Sequence, residues 1–413
     1  MKIAQLLRND ANFVSAVVEQ SGEIPASAHL SMITNLDSLR CLGNDWRDLE
    51  TRCQKQTSVF QSFDWIMAWC ETYATLRPDL KIQVLTGYDQ GKLVFVWPMM
   101  QQSRMGLNIL GWLTEPFGQY GDVLCASGHC PKLWTKSSLN FLHSLKGIDI
   151  IRLRHVRMDS HLATSCLHLF SNAKSAERAP FLDLTQFQTE ADYEQRYTQA
   201  QRKRRKKIRK HLEDIGSVSF IELAPGTIAD AAIESAIAEK NQWLEDRGRL
   251  NRVLNCPGHI TFLKKLSRRS NSNVEVVVSE IKANDEPISW EIGFRHGKTH
   301  FAYITSHMNK HTDLSPGRLH MDLSQRASLA AGMERFDLMV PYDAHKESWS
   351  SGSVDTQDHF VPLSAKGWLA GYVYLKTLRP VIRKIYYSLQ PNALRWLSTR
   401  TAAASKVMAS IVP

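Results

Sequence analysis

Residues 315–319 have the sequence of a helix start that could bind a phosphate group. In this Ser-Pro-Gly-Arg-Leu run, serine is a favoured N-cap and proline suits the first helical position, where a missing N–H costs nothing. The first backbone N–H groups of a helix have no partner inside it, so those of residues 317–319 are expected to be free. With the helix dipole and the Arg318 charge, they would attract an anion. The sequence predicts a cofactor-binding site at Ser315, Pro316, Gly317, Arg318 and Leu319, although such loops also occur without a ligand.

Five side chains near this segment are candidates for acid–base chemistry or for holding a second substrate. They are Glu291, Tyr303, Asp337, His345 and Lys346. Glu291, Asp337 and His345 are candidate general bases, and an unperturbed histidine titrates near neutral pH. Tyr303 is the candidate general acid, and Lys346 could hold an anionic acceptor. Each group also has a structural interpretation: an exposed strand position for Glu291, a loop-ordering acceptor for Asp337 and a core residue for Tyr303.

The residues around these candidates have the periodicity of alternating strands and helices. Leu319, Leu323, Ala327 and Ala330 recur at i, i+4, i+8 and i+11, which predicts a helix that ends near Gly332. Apolar runs and turn residues predict the neighbouring strands. The predicted elements are a strand at 217–223, helices at 229–244 and 257–266, strands at 274–281, 287–296 and 299–305, the helix after Pro316, and a strand at 336–340. The order is therefore β-α-α-β-β-β-α-β.

This order and these motif residues resemble the second domain of the CelD/BcsL-like acetyltransferases. That family has the GNAT fold and is related to the FemAB-type ligases. The matching residues are Ser315, Pro316, Gly317, Arg318, Leu319, Gly332, Asp337, Lys346 and Trp349. Two positions depart from the family pattern, because Pro341 and His345 stand where the family usually has Gly and Tyr.

The first half of the chain resembles the first half of the same family. The matching segments are residues 62–69, Ser-Phe-Asp-Trp-Ile-Met-Ala-Trp, and residues 97–100, Trp-Pro-Met-Met. The resemblance implies an α/β protein with tandem GNAT-like domains, each built on a mixed central sheet. A polar stretch at 170–190 separates a degenerate N-terminal domain at 1–178 from a catalytic domain at 179–363, and a basic helical tail follows at 364–413. An unrelated α/β domain stays open for the first half.

The resemblance implies a function as well as a fold. It implies acyl transfer from acyl-CoA, with acetyl-CoA as the expected co-substrate, to an amine or hydroxyl of a sugar, polysaccharide or cell-envelope precursor. The CoA pyrophosphate would lie on the 315–319 helix start, and a strand N–H would polarise the thioester. No metal is expected. Two other classes stay open: a FemAB-like transferase that uses aminoacyl-tRNA, and a non-catalytic protein that binds membranes or nucleic acid.

The most basic stretch of the chain is residues 202–211, Arg-Lys-Arg-Arg-Lys-Lys-Ile-Arg-Lys-His. An apolar stripe of Tyr193, Tyr197, Ala200, Ile208, Leu212 and Ile215, with Arg204 filling its gap, predicts that one helix carries the run and docks on a core. Three interpretations stay open: a solvated face, contact with an anionic substrate or membrane, and contact with tRNA. Nucleic acid is the least favoured, because no aromatic residues for base stacking alternate with the basic ones.

Composition bounds the partners and the compartment. The net charge of +10 indicates an anionic partner, and the seven cysteines are scattered without metal-ligand spacing. Residues 364–413 contain eight Lys or Arg, several aromatic residues and no Asp or Glu, which fits an anionic membrane surface or a helix packed on the fold. No apolar run is long enough to span a bilayer. We therefore expect a cytoplasmic protein, with a peripheral position at the inner face of the membrane as the alternative.

Overall fold

The computed structural model describes residues 24–53, 59–247, 251 and 253–382. The chain divides into two compact units: Met1–Glu177 with Asp355–Tyr386, and Arg178–Val354 with Tyr387–Pro413. The predicted boundary at residue 178 lies within a strand, Ser171–Asp183, and the one at 363 directly follows another, Gly352–Pro362. The predicted domains at 1–178, 179–363 and 364–413 stay a prediction, and residues 383–413 of the tail lie outside the described part of the chain.

Strands and helices alternate throughout the described residues, which confirms the predicted α/β class. The strands are β1 Ala28–Ile33, β2 Lys81–Asp89, β3 Lys92–Arg104, β4 Leu107–Trp112, β5 Leu124–Cys125, β6 Ile150–Arg157, β7 Ser171–Asp183, β8 Val218–Leu223, β9 Val274–Ala283, β10 Glu286–His296, β11 Thr299–His307, β12 Arg335–Asp337 and β13 Gly352–Pro362. The helices are α1 Leu36–Cys41, α2 Gly43–Arg52, α3 Phe63–Leu76, α4 Pro131–Ser144, α5 His161–Cys166, α6 Glu190–Gln195, α7 Gln199–Glu213, α8 Thr227–Glu245, α9 His259–Ser267, α10 Pro316–Ala330, α11 Ala344–Glu347 and α12 Ala365–Trp368, which continues as a π-helix, Leu369–Leu378.

In the first unit, the strands lie in the order β1-β2-β3-β4-β6-β13. Neighbours are antiparallel except β4 and β6, which pair in parallel at only two positions, Ile109 with Ile150 and Leu110 with Ile151. Helix α4 lies between those two strands in the chain. Bulky aromatic side chains such as Trp65, Trp97 and Trp134 fill the core of this unit.

In the second unit, the order is β7-β12-β11-β10-β9-β8. Strands β8 to β11 are antiparallel, whereas β11 and β12 pair in parallel at three positions, from Thr299 with Arg335 to Phe301 with Asp337. Strand β11 continues to His307 after β12 has ended, so the two strands separate there. Helix α10 joins them. The element order β8-α8-α9-β9-β10-β11-α10-β12 confirms the predicted β-α-α-β-β-β-α-β.

Two details of the predicted elements are wrong. The strand predicted at 336–340 ends at Asp337, because Met339 has a left-handed backbone with φ of 57°. The helix predicted around the basic run is two helices, α6 and α7, since Thr198 caps a new helix by accepting the Gln201 N–H. Arg205 rather than Arg204 lies on the inward face, and Ile215 is 39% exposed. No described helix is long and apolar enough to cross a bilayer.

Candidate functional site

Helix α10 begins at the predicted position, but its start is built differently from the prediction. Ser315 has a left-handed backbone with φ of 57° and ψ of 47°, and its side chain makes no cap hydrogen bond. The Arg318 N–H donates to the Ser315 carbonyl at 3.0 Å, so it is not free as predicted. Gly317 leaves room at the helix start, because a Cβ there would meet only His307 Nδ1, at 3.6 Å. One of the three predicted N–H donors is therefore occupied, and the Arg318 side chain supplies positive charge at this end.

A groove of about 980 Å³ lies along α6, α7 and α10. Within the described residues, eight cationic and three acidic side chains line it. The cationic ones are Arg202, Lys203, Arg204, Arg205, Lys206, Arg209, Arg318 and Arg326, and the acidic ones are Glu190, Glu194 and Asp322. The groove thus combines the predicted helix start with the basic run, and it carries an excess of positive charge.

Two of these arginines are fixed in the wall of the groove. The Arg205 guanidinium lies 3.3 Å from the Tyr197 ring centroid and 4.3 Å from the Trp349 centroid, and it pairs with Asp322. Arg326 bonds the other Asp322 oxygen at 3.1 Å and also pairs with Glu194. Ion pairs and ring stacking already engage both groups, so they shape the groove.

Arg204 and Arg318 differ from those two. Within the described residues, neither guanidinium has an acidic partner within ion-pair distance. Burial lowers the pKa of Arg318, and the nearby charges of Arg204 and Arg205 lower it further. Like charges held close together without a counter-ion raise the energy of the empty groove, and an anionic ligand would relieve that repulsion.

The loop after β12 brings a predicted acid–base residue towards this helix start. Asp343 caps α11 by accepting the Lys346 N–H at 2.8 Å, and Lys346 Nζ donates to the Met339 carbonyl at 2.9 Å. The exposed His345 ring lies 6.3 Å from the Trp349 ring. Partial burial of the imidazole lowers the His345 pKa; Asp343 opposes this, and Arg318 lowers the pKa further. A neutral imidazole at pH 7 can accept a proton, whereas Lys346 already holds a loop carbonyl.

Glu291 occupies a buried network beneath α10. Its Oε1 lies 2.9 Å from His300 Nε2, and His300 Nδ1 lies 3.0 Å from Ser328 Oγ on α10. The interpretation of Glu291 as an exposed strand residue is wrong, because the residue is fully buried. Burial acts to raise the Glu291 pKa, but the hydrogen bond and charge of His300 outweigh it and the pKa is lowered. The network ties the helix to β10 and β11.

His320 forms a second buried link between α10 and the sheet. Its Nε2 lies 2.8 Å from Ser279 Oγ and its Nδ1 lies 3.0 Å from Ser289 Oγ. Burial lowers the His320 pKa to about 4, so the imidazole is neutral at pH 7. These side chains hold the first turns of α10 in place under the groove.

The remaining candidates lie apart from the groove. Tyr303 packs against Phe294 and His259, with centroid distances of 5.1 Å and 6.2 Å, on the sheet face opposite to His300. Burial raises the Tyr303 pKa. Asp337 is buried, and its Oδ1 accepts the Met339 N–H at 2.8 Å, which fits the loop-ordering interpretation. Of the acid–base candidates, His345 is therefore the exposed one, and the charge of Arg318 acts on it; the roles of all the candidates stay predictions.

Sequence reasoning missed the pairing of α7 with α10. The basic run indicated an anion contact as one of three interpretations, but nothing in it distinguished Arg204 from Arg205. The spacing of Tyr197 from Arg205 was the available signal. Because a new helix begins after Thr198, that spacing places the Tyr197 ring against the Arg205 guanidinium.

The second unit has three antiparallel strands, β9 to β11, followed by α10 and by the diverging parallel strand β12. With the cationic groove beside α10, this arrangement is that of an acyltransferase domain of the GNAT type. Residues 199–347 match the family described as acetyltransferase (GNAT) domain. The match spans α7 to α11 and so includes two of the three helices along the groove. The protein is therefore an enzyme of the acyltransferase class.

Solved structures with the same fold cover most of the chain. The crystal structure of FemX matches with a TM-score of 0.56 and 10% identity, over 84% of this chain and 100% of that one. The C-terminal domain of a putative lysylphosphatidylglycerol synthetase from Agrobacterium fabrum matches with a TM-score of 0.50 and 12% identity, over 82% and 97%. At such identities the likeness shows the fold alone. None of the curated proteins compared with the chain matches its sequence.

Proposed function

We propose that the protein transfers an acyl group, in the first instance acetyl, from acyl-CoA to an amine or hydroxyl of a sugar, polysaccharide or cell-envelope precursor. The observation that carries the proposal is the pair Arg204 and Arg318, which have no acidic partner in the described groove. The diphosphate and 3′-phosphate of CoA supply the opposite charge. Arginine suits phosphate because its planar donors bind two oxygens at once.

The thioester would extend from the groove towards the place where β11 and β12 separate. Strand β11 pairs with β12 only as far as Phe301 in the described strands, so its later residues have no β12 partner. A backbone N–H there can donate to the thioester oxygen as negative charge develops on it. The same end of β11 leads into the start of α10, which carries Arg318, and the charge of Arg318 acts on His345 in α11.

His345 would act as the general base. The acceptor nitrogen or oxygen attacks the thioester carbon, its proton passes to the neutral imidazole, the C–S bond breaks, and the CoA thiolate leaves and takes up a proton. The lowered His345 pKa keeps the imidazole available at neutral pH. Activity should therefore fall on the acid side of a pKa below 6.5.

The test is transfer from labelled acetyl-CoA to a panel of amino sugars, polysaccharides and phospholipids. For His345→Gln we expect about a hundredfold lower kcat, loss of the acid limb and an unchanged affinity for acetyl-CoA. Lys346→Gln, which alters a neighbouring loop contact, should keep the acid limb. Absence of transfer to every acceptor, together with absence of acetyl-CoA binding, would contradict the proposal.

A second candidate is aminoacyl transfer with a tRNA donor. Helix α7 favours it, because Lys203, Lys206, Lys207 and Lys210 form an exposed basic face that extends beyond the groove. The fold likeness to a putative lysylphosphatidylglycerol synthetase makes a phospholipid acceptor worth including. Thermal stabilisation by tRNA but not by acetyl-CoA would favour this candidate over the first.

A further inference from the structure

The helix that begins at α12 and continues as the π-helix is fixed to the first unit along one face. A Cβ at Gly367 would lie 1.7 Å from the Asp149 carbonyl oxygen, and one at Gly371 would lie 2.3 Å from the Phe360 ring. Leu375 is buried, and Arg379 Nη1 donates to Asp358 Oδ2 at 2.9 Å. The backbone therefore packs directly on the sheet and cannot rotate to hide its other face.

The opposite face of the same helix is apolar and exposed. Its exposed fractions are 54% at Trp368, 57% at Leu369, 39% at Val373, 47% at Leu378 and 56% at Val381. In a π-helix, hydrogen bonds run from i to i+5, so residues five apart share a face. Trp368, Val373 and Leu378 have that spacing. The π geometry thus aligns side chains that an α-helix would spread around its axis.

This row differs from the other exposed apolar residues of the first unit. Leu76, Met105 and Leu145 are also exposed, but they are far apart in the chain: Leu76 ends α3, Met105 lies between β3 and β4, and Leu145 follows α4. Single exposed apolar residues are ordinary, whereas a row of them on one helix marks an interaction surface. The helix is therefore amphipathic, and the row of apolar side chains lies on its solvent-exposed side.

The charged residues on and after this helix indicate which kind of partner binds the apolar row. Lys366 and Lys376 lie on the same helix, and residues 364–413 hold eight Lys or Arg and no Asp or Glu. A second copy of the chain would bring like charges together. An anionic phospholipid surface supplies both an apolar layer and opposite charge.

We propose that this helix docks the protein on an anionic phospholipid surface. Trp368, Leu369, Val373, Leu378 and Val381 enter the boundary between headgroups and acyl chains, and Lys366 and Lys376 contact lipid phosphates. The surface belongs to the first unit and does not depend on the acyl-transfer proposal. It would place the enzyme where a lipid-linked acceptor is found.

The test is flotation of the full chain with phosphatidylcholine vesicles that contain or lack phosphatidylglycerol. We expect binding that requires phosphatidylglycerol and falls about tenfold or more in the triple variant Trp368→Gln, Val373→Gln and Leu378→Gln. All three positions are exposed, so the fold should persist, and acetyl-CoA binding should not change. Lys366→Gln with Lys376→Gln should weaken binding to the anionic vesicles and reduce its sensitivity to salt, because fewer charge contacts remain to be screened.

The matched control is Leu76→Gln, Met105→Gln and Leu145→Gln, which removes the same kind of exposed side chain elsewhere in the unit. It should leave vesicle binding unchanged. Equal losses in both triple variants would overturn the proposal, as would wild-type protein that does not float with anionic vesicles. A wild-type dimer that the first triple variant converts to a monomer, without vesicle binding, would assign the row to a second copy instead.

Discussion

The two units share an order of strands and helix, but they differ in whether their arginines are paired with carboxylates. Each has three antiparallel strands, a helix, and a strand parallel to the last of the three: β2-β3-β4-α4-β6 in the first and β9-β10-β11-α10-β12 in the second. In the first unit, Glu115 follows β4 and accepts from Arg152 at 2.6 Å and Arg154 at 3.2 Å, with all three side chains at most 15% exposed. In the second, Arg204 and Arg318 border an open groove.

The difference separates a structural use of arginine from a binding use. Burial acts to raise the Glu115 pKa, but Arg152 and Arg154 outweigh it and the pKa is lowered, so the cluster is internally paired. Removing one partner of a buried ion pair is strongly destabilising, whereas an unpaired charge at a groove is a candidate ligand contact. The shared topology therefore does not imply two donor sites, and the proposed one lies in the second unit, beside the unpaired arginines.

Removing the first unit's carboxylate should have the largest effect. Glu115→Ala leaves two buried guanidinium groups without their anion, and we expect the free energy of unfolding to fall by about 3–5 kcal/mol. Urea denaturation measures the loss, and the acetyl-CoA affinity should not change. Asp79→Ala is the control, because its exposed pair with Arg77 should contribute less than about 1 kcal/mol. A weakened acetyl-CoA affinity in Glu115→Ala would place part of the donor site in the first unit.

Reversing the unpaired charges of the second unit should come next. Arg204→Glu with Arg318→Glu should weaken acetyl-CoA binding by about a hundredfold, measured by calorimetry, because two phosphate contacts become repulsive. Lys207→Glu with Lys210→Glu makes the same charge change on α7 outside the groove, and less than about a threefold effect is expected. Similar losses of acetyl-CoA affinity in both variants would mean that the overall positive charge of the unit, and not these two arginines, determines binding.

The buried His320 beneath the groove should make the stability of the second unit fall at acidic pH. The folded-state pKa of His320, about 4, lies below its ordinary 6.5, so the unfolded chain binds the proton more tightly. This contribution to stability is present above pH 6.5 and is lost as the pH falls towards 4. Between pH 7 and pH 5 the loss is about 2 kcal/mol. His320→Gln should reduce the difference between urea unfolding at the two pH values by that amount, and an unchanged difference would refute the assignment.

The smallest effect concerns the arginine fixed in the groove wall. Arg205→Lys keeps the charge near Asp322 but loses the planar contacts with Tyr197 and Trp349, so about 1 kcal/mol of stability should be lost. Arg204→Lys is the matched control, and thermal unfolding should show little change because Arg204 is exposed. If the two variants behave alike, ring stacking does not organise the groove.

The elements of the second unit could be predicted because their signals are local. Pro316 and Gly332 bound α10, and turn residues separate β9, β10 and β11. The inward direction of Glu291 could not be predicted, since the sequence does not show that Glu291 bonds to a buried His300, which in turn contacts Ser328. Strands β7 and β13 were missed as long strands because their sequences are polar and they depend on pairing with distant partners.

The start of α10 was predictable from the sequence, whereas the charge pairing in the groove beside it was not. Residues 315–319 were identified from capping preferences, but the Ser315 side chain makes no cap and the Arg318 N–H is occupied. The contact between Arg205 and Trp349 joins residues far apart in the chain. Only the folded structure distinguishes a paired arginine from an unpaired one in a run of ten nearly uniform basic residues.

Hydrogen–deuterium exchange of the full chain, with and without saturating acetyl-CoA, would locate the donor site. The two arrangements differ in charge pairing, so ligand protection should fall in residues 199–209 and 315–326 of the second unit. Residues 107–157 of the first unit should exchange at the same rate in both samples. Protection confined to residues 107–157, or none anywhere despite acetyl-CoA binding, would contradict the assignment of the donor site to the unpaired arginines.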